Sequence, residues 1–570
     1  MNMEKNMKIL LAFLMLLAGG CTKDFLNIND DPNNPSKASL GLLLTHIEKD
    51  VADGMSVNGG LANITEVYMH QMTTRENPDQ YGISGGSSYS SGPWDQFYTG
   101  PLQDIELLIS QAEADENVTY AGIGKIFKAY VFSQMVDIYG DIPFSEANKL
   151  SGANIGYAKF DKSEVIYPQL FALISAGIAD LTNKTALNKV IPGGDDVIYG
   201  GDKGKWLRAA KTLRLKLYNQ VRLVQNVTAM VNIPSDSLIQ SGEDFEFQYK
   251  SKSSPDERNP GFLDYEAGQR GQYMSPWMYE ILKGYNPEIL TDIADPRVPY
   301  YYYRQLTAAA APREGNPTEY RDGGFVSIVF GSISKNRDFA TDGSMTVFGV
   351  YPVGGRYDDG KGLKVTGNHG TGAAPYRFIT YADRLYIQAE LANAGLIADN
   401  NYFKTALEAS FKQVDHVVSL VNPSAALVTQ TAPATMWVPT AVAPVPPAAA
   451  TTGWLVKSYI TKVMAEYTAA TASRKLEYIM TEKWISQFGC NVDSWTDHRR
   501  TGFPIVFNPK DPTQAPDGQL ISPEDGFVIP VTLINPVPWT VVWPQSELSL
   551  NPNAPAQKVP GTFKVFYDKH

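Results

Sequence analysis

Lys125–Ala147 reads KIFKAYVFSQMVDIYGDIPFSEA, and its pattern changes once along its length. Counted from Gly122 to Tyr139, apolar residues recur at Ile123, Ile126, Phe127, Tyr130, Val131, Met135 and Ile138. That three-and-four spacing is one face of a helix. Gly140 ends it, because glycine takes the positive φ that closes a helix, and Pro143 keeps the exit extended. Around this exit Asp137 and Asp141 are expected to accept from nearby backbone N–H groups.

The same period recurs further along. Trp206, Ala210, Leu213, Leu217, Val221 and Val224 form a second stripe between Lys205 and Val224. Phe378, Ala382, Leu385, Ala389 and Ala392 form a third, and Leu476, Met480, Trp484 and Phe488 a fourth. The third stripe is rich in small residues, which permit close approach as in helix-pair repeats. No strict period runs across the chain, so any tetratricopeptide-like repeats are degenerate. Residues 225–375 and 495–570 hold most of the Gly, Pro, Asn and Asp and few such stripes. Long irregular stretches in a compact protein usually carry function. Residues 422–453, biased towards Ala, Pro, Thr and Val, read as an inserted loop. The fold class reads as mainly α, one domain with a helical scaffold bearing a loop-rich lobe.

The N-terminus reads as an export signal. Lys5 and Lys8 precede an apolar run from Ile9 to Leu17, too short to span a bilayer but right for a secretory core. Ala18, Gly19 and Gly20 then lead to Cys21, the arrangement a lipoprotein peptidase requires. The expected division is 1–20 lipoprotein signal peptide, 21–36 lipidated Cys21 and extended tether, and 37–570 a single folded domain. No other apolar run is expected to approach the ~20 residues of a membrane span. The chain has 2 Cys among 570 residues, so lipid on Cys21 leaves Cys490 without a disulfide partner. The net charge of −11 repels nucleic acid and anionic lipid, and no basic cluster offsets it. Aromatics are abundant, with 31 Tyr, 24 Phe and 9 Trp, and such chains often present amphipathic surfaces to ligands.

Catalytic signatures fail on context. Gly82-Ile83-Ser84-Gly85-Gly86 matches a nucleophile elbow, but polar residues precede it and SSYSSG follows, where a buried strand and a helix are needed. Gly200–Trp206 resembles a phosphate loop, yet Trp206 stands where a magnesium-binding Ser or Thr belongs, so it reads as a turn into a helix. The 6 His are scattered and form no zinc-binding spacing. Asp358-Asp359-Gly360 reads as an exposed turn rather than half a calcium site. Asn29, Asp31 and Asn33 alternate like a calcium loop but lack its Gly and terminal Glu. No cofactor is called for, and a metal is neither required nor assigned.

Three stretches carry a resemblance when taken in order: Lys125–Ala147, then DVIYGGDKGKWLRAAKTLRLKLYNQVR from Asp196 to Arg222, then LEYIMTEKWISQFGCNVDSWTDHRRTGFP from Leu476 to Pro504. With Asp295–Pro299 (DPRVP) and Trp543–Glu547 (WPQSE), they resemble the SusD/RagB family of outer-membrane nutrient-binding lipoproteins, in its SusD-like subgroup. Glu482 stands where Gln is commoner, Trp543 where Tyr is commoner, and the 422–453 loop is long for the family. The resemblance implies a mainly α fold of tetratricopeptide-like helix pairs (an α-α superhelix) packed against a loop-rich variable lobe. It also implies a lipid-anchored lid on the cell surface that closes over a SusC-like, TonB-dependent barrel transporter in the outer membrane. The family motifs themselves read as structural, and Arg499 and Arg500 are placed to pair with carboxylates such as Asp137 and Asp141.

The ligand site is then expected in the variable segments. Sugar rings stack their C–H faces on aromatic planes while their hydroxyls bond Asn, Asp and Arg. Exposed aromatics in Gly/Ser-rich loops are therefore the candidates. Tyr81 and Tyr89 flank the Gly/Ser tract and Trp94 follows it, although Trp94 and Tyr98 also fit a helical core. Arg270, Tyr273 and Trp277 stand together in QRGQYMSPW, and Tyr320 adjoins Arg321. The expected function is noncovalent capture of oligomers, glycans first, with peptides as the alternative and a surface glycosidase a more distant one.

Overall fold

The computed structural model describes residues 37–74, 81–149, 153–266, 271–307, 320–331, 343–430, 453–506 and 537–569. Cys21, the leader, the tether, Arg270 and most of the 422–453 loop lie outside the described residues. The chain opens with α1 (Leu40–Met55), α2 (Leu61–Tyr68) and β1 (Met72–Thr73), followed by α3 (Ser88–Thr99) and α4 (Pro101–Ala114). Helix α4 starts on Pro101, whose missing N–H is one of the unbonded donors of a first turn, and Asp104 adds favourable charge there. Then comes α5 (Val118–Tyr139), the helix read from the quoted stretch. Almost every side chain from Thr119 to Tyr139 is buried, so α5 is surrounded by protein on nearly all sides and forms the axis of the fold. It stops at Gly140, at φ +72°, where a Cβ would lie 2.7 Å from the Phe563 ring. Any side chain there would meet both that ring and backbone strain.

Beyond Gly140, β2 (Ile142–Pro143) pairs antiparallel with β3 (Phe160–Asp161), and α6 (Ser163–Thr182) returns along α5. The two helices cross where Gly122 faces Gly177. A Cβ on either would stand 2.9–3.0 Å from the other's carbonyl oxygen, so only glycine allows this approach. Helix α6 corrects one expectation, because by length and composition it is apolar enough to cross a membrane. Its Ile166, Tyr167, Leu170, Ile174 and Leu181 are buried within the protein.

Helix α7 (Lys203–Val221) is capped by Asp202, whose carboxylate accepts from the Gly204 and Lys205 N–H groups, and α8 (Thr228–Val231) adds one turn. Trp206 is buried and donates its indole N–H to Asp196 at 2.7 Å, so this segment is a turn into a helix, as its sequence predicts. The lobe follows: β4 (Phe245–Phe247), β5 (Tyr273–Met274), α9 (Pro276–Lys283), α10 (Val298–Tyr301), β6 (Tyr302–Tyr303), β7 (Tyr320–Asp322), β8 (Phe325–Ser327), β9 (Val347–Phe348), α11 (Val350–Val353) and β10 (Tyr376–Ile379). Its sheets, among the described residues, are antiparallel pairs: β1 with β5, β6 with β9, β7 with β8 and β10 with β4.

The scaffold closes with α12 (Tyr381–Asn393), α13 (Tyr402–Val421), α14 (Trp454–Ala469), α15 (Ala472–Ser486), α16 (Asp493–Thr501) and α17 (Gln545–Leu550). The fold is mainly helical, with α5 on α6, α12 on α13 and α14 on α15 as packed pairs. Phe378 does not open the third stripe. It lies in β10, where its ring packs on Phe127, Tyr130 and Phe245. The helix begins three residues later because Thr380 and Asp383 form a capping box.

The motif residues are structural, with two changes of partner. Asp141 accepts from the Ser163 N–H at 2.9 Å, as expected. Asp137 instead takes the hydroxyls of Tyr167 and Tyr567 and the Gln220 amide, because it sits on a buried axis surrounded by side chains. Arg499 donates to the Asp137 carbonyl rather than its carboxylate, and Arg500 pairs with Glu390 and Asp497.

Candidate functional site

The aromatics singled out in the sequence divide between two places, and most are not exposed. Tyr81, Trp94, Tyr273, Trp277 and Tyr320 are each at most 4% exposed, which corrects the expectation that they present open faces. Tyr81 packs its ring on Tyr68 and Phe330 and meets His70 Nε2 at 3.2 Å. Tyr273 sits in β5 opposite Thr73 and packs with Val326, Ile328 and Met345. Trp277 lies in the first turn of α9 and Tyr320 in β7, its ring 6.1 Å from that of Tyr279. The physical reason is common to all four: strands of two to four residues bury too little surface, so large rings must supply the lobe's core. Tyr89 is half-buried on the first turn of α3.

Trp94 leads elsewhere. It lies on α3 one turn before Tyr98, its ring 4.9 Å from that of Tyr98 and 5.1 Å from that of Tyr139. Together Trp94 and Tyr98 wall a cleft of about 300 Å³. That volume lies at the lower end for ligand sites and suits one or two sugar rings. The cleft is completed by Asp95, Asn148, Tyr157 and Glu547.

Each wall is fixed by a specific bond. The Tyr98 hydroxyl donates to the Pro143 carbonyl at 2.6 Å, tying α3 to β2. Asn148, in the left-handed region at φ 55°, donates its amide to the Tyr98 carbonyl at 2.7 Å. Its side-chain oxygen is buried and accepts no hydrogen bond within the protein. Asn551 and Asn553 donate to the carbonyls of Ala158 and Tyr157, both at 2.7 Å, so α17 and the residues after it hold this segment by its main chain. The Tyr157 ring is thus left open, 58% exposed. Asp95 is exposed, and burial beneath it lifts its carboxyl above the usual range. Glu547 is half-buried. An open ring beside carboxylates and an amide oxygen without a donor is chemistry suited to a polyol.

Sequence reasoning reached Trp94 and missed Tyr157, Asn148 and Glu547. Tyr157 lies in ANIGYAK and meets the same criterion, an aromatic beside glycine, that selected the lobe residues. Asp358 is not in an exposed turn: it is fully buried beside Arg304 at 3.4 Å, and burial pushes its carboxyl up to about 6. Among the described residues, no group of three or more His, Cys, Asp or Glu is placed to hold a metal ion. Cys490 is a buried free thiol whose pKa burial pushes up to about 11, which makes it unreactive.

Comparison with known proteins follows this geometry. The SusD-like family model described as "starch-binding associating with outer membrane" matches residues 32–443 and 446–523. A chitin-binding protein superposes with a TM-score of 0.61 at 18% identity, over 90% of this chain and 95% of its own. A SusD/RagB family protein from Bacteroides thetaiotaomicron gives 0.61 at 17%, over 91% and 95%. A SusD homologue from Bacteroides uniformis gives 0.60 at 16%, over 93% and 99%. No curated protein matches the chain.

Proposed function

We propose, because this chain belongs to the SusD-like family of outer-membrane-associated, starch-binding proteins, that it is a surface lipoprotein that captures glycans without cleaving them. In this reading Cys21 carries the lipid anchor, and the bound oligomer passes to a SusC-like, TonB-dependent barrel. The observation that carries the glycan reading is the cleft in which the open Tyr157 ring stands beside Asp95, Asn148 and Glu547. Trp94 forms a wall of that cleft, while Tyr81, Tyr273, Trp277 and Tyr320 support the lobe from within. A chitin-binding relative of the same fold is consistent with a saccharide ligand.

Native electrophoresis through gels containing single polysaccharides tests the proposal. Retardation by at least one glycan, with no reducing ends released on incubation, is the expected result. Accumulating reducing ends would make the protein a glycosidase. Binding of peptides with no retardation by any glycan would move the ligand class to peptides. Separately, Cys21→Ala should release the protein from the membrane fraction.

A further inference from the structure

The scaffold carries a second cleft, also about 300 Å³, between the start of α7, β4, the start of α12 and the middle of α13. Its lining carries three carboxylates, Glu243, Asp244 and Glu246, with Lys205, Lys412 and His416 beside them. Glu243 is neutralised by Arg208, with two contacts of 2.5 and 2.6 Å. Asp244 accepts from the Tyr381 N–H at 2.6 Å. Glu246 meets His416 Nε2 at 2.6 Å through one oxygen.

Two polar atoms here are unanswered. The second oxygen of Glu246 is buried and accepts nothing within the protein. Gln413 is 5% exposed, lines the cleft, and its Nε2 donates to nothing within the protein. One needs a donor and the other an acceptor, and such groups are normally satisfied. Burial and the neighbouring Glu246 push Asp244 up to about 7, and the bond to Glu246 raises His416. Near neutrality, then, Asp244 is poised to exchange a proton, because burial first and the charge of Glu246 second disfavour its ionised form. Lys205 and Lys412 also border the cleft. Lys412 is exposed and keeps its head in water, where it favours an oxygen acceptor on a ligand.

We propose that this cleft binds a primary ammonium group with an oxygen acceptor beside it, the ammonium donating to Glu246 and Asp244 and the oxygen accepting from Gln413. An ammonium supplies three N–H donors and a charge, which matches two adjacent carboxylates better than a hydroxyl does. Both an amino sugar and the terminus of a short peptide carry that chemistry.

Titration calorimetry on the mature protein at pH 7 separates these sources. The ligands are glucosamine, N-acetylglucosamine, alanyl-alanine and its N-acetyl form. At least one free amine is expected to bind about tenfold or more tightly than its acetylated form. Glu246→Gln and Asp244→Asn should each weaken it about tenfold, since each keeps its shape and existing acceptor but loses its charge. Asp244→Asn still accepts from Tyr381, so a folding defect in one variant does not remove the test. The preference for a free over an acetylated amine, rather than binding as such, separates this site from the glycan cleft, which a sugar of either kind can enter. Absence of heat with both amines, equal binding of acetylated forms, or unchanged affinity in the two carboxylate variants would each overturn the proposal.

Discussion

In the scaffold, Glu390 of α12 is fully buried and gathers Arg222 at 2.7 Å, Arg500 at 3.0 Å and Asn219 at 2.6 Å from other parts of the chain. Arg500 continues to Asp497, which takes Lys483 at 2.7 Å. In the lobe, ion pairs such as Arg304–Asp358 and Lys283–Asp322 are joined by a set of tyrosine hydroxyls on main-chain carbonyls: Tyr300 on Ala426, Tyr302 on Gln71 and Tyr265 on Phe348. The two chemistries meet at the C-terminal end of α15. There Gln71 donates to the Trp484 carbonyl, Tyr301 to Ile485, Tyr351 to Ser486 and Arg377 to Phe488, at 2.6–2.9 Å. Carbonyls at a helix end lack intrahelical partners, so the lobe is seated by completing them. The contrast separates two kinds of dependence. A charged network leaves a bare buried charge when one member is lost, whereas each hydroxyl latch can be lost singly.

Glu390→Gln should therefore have the largest effect, a loss of about 3–5 kcal/mol in urea unfolding, because Arg222 loses its carboxylate and Arg500 keeps only Asp497. Burial alone would raise the Glu390 carboxyl, but Arg500 and Arg222 more than offset it and hold the group well below the usual range. That stabilisation is present above the unfolded value of 4.5 and is lost as pH falls below it. A cost no greater than that of a lobe tyrosine would erase the distinction.

Glu66 of α2 stands at the seam, accepting from the Asn491 N–H at 2.9 Å, and burial pushes it up to about 8. Its folded value lies above the unfolded 4.5, so the native state keeps a proton that the unfolded chain releases. The stability this contributes is complete below pH 4.5 and is lost as pH rises to about 8. The slope is roughly 1.4 kcal/mol per pH unit. Glu66→Gln keeps the acceptor without titrating, so its stability should gain on the parent by roughly 2–3 kcal/mol between pH 5 and 7. A pH-independent gap in urea midpoints would show that Glu66 is already ionised in the native protein.

Tyr301→Phe and Tyr351→Phe should each cost about 1–2 kcal/mol, since each removes a hydroxyl donor from a buried carbonyl, although Ile485 keeps a longer bond from the Phe488 N–H. Both act on adjacent carbonyls of α15, so the double variant measures whether the latches are independent. A coupling near zero supports the single-latch picture, and a large one would make the lobe resemble the scaffold.

The same contrast explains what the sequence disclosed. Helix periodicity located α5, α7 and α15 because an axis helix must repeat its apolar positions over many turns. It failed at Phe378, where β10 pairs with β4 across more than a hundred residues of chain. Strands of two to four residues are too short for an alternating pattern, and their partners are fixed by distant segments. The aromatics failed for another reason. A tyrosine in a lobe core and one open to ligand have the same neighbours in sequence, so composition pointed to Tyr273 and Tyr320 and passed over Tyr157. Glu390 and Glu246, one locked in ion pairs and the other half-answered, were indistinguishable until the fold set their partners.

The smallest expected change in stability comes from the cleft and carries the most functional weight. Trp94→Ala cannot test the glycan site, because removing so large a buried ring costs about 3–5 kcal/mol and confuses binding with folding. Tyr157 differs in that its main chain is held by Asn553 while its ring is open. Tyr157→Ala should leave the urea midpoint within about 0.5 kcal/mol of the parent. A ring stacked on a sugar contributes about 0.5–1.5 kcal/mol, so affinity for the retained glycan should fall by up to about tenfold. Calorimetry on the two proteins reads both quantities from the same preparations. Unchanged glycan affinity at unchanged stability would remove this cleft from the binding path and return the ligand to the lobe.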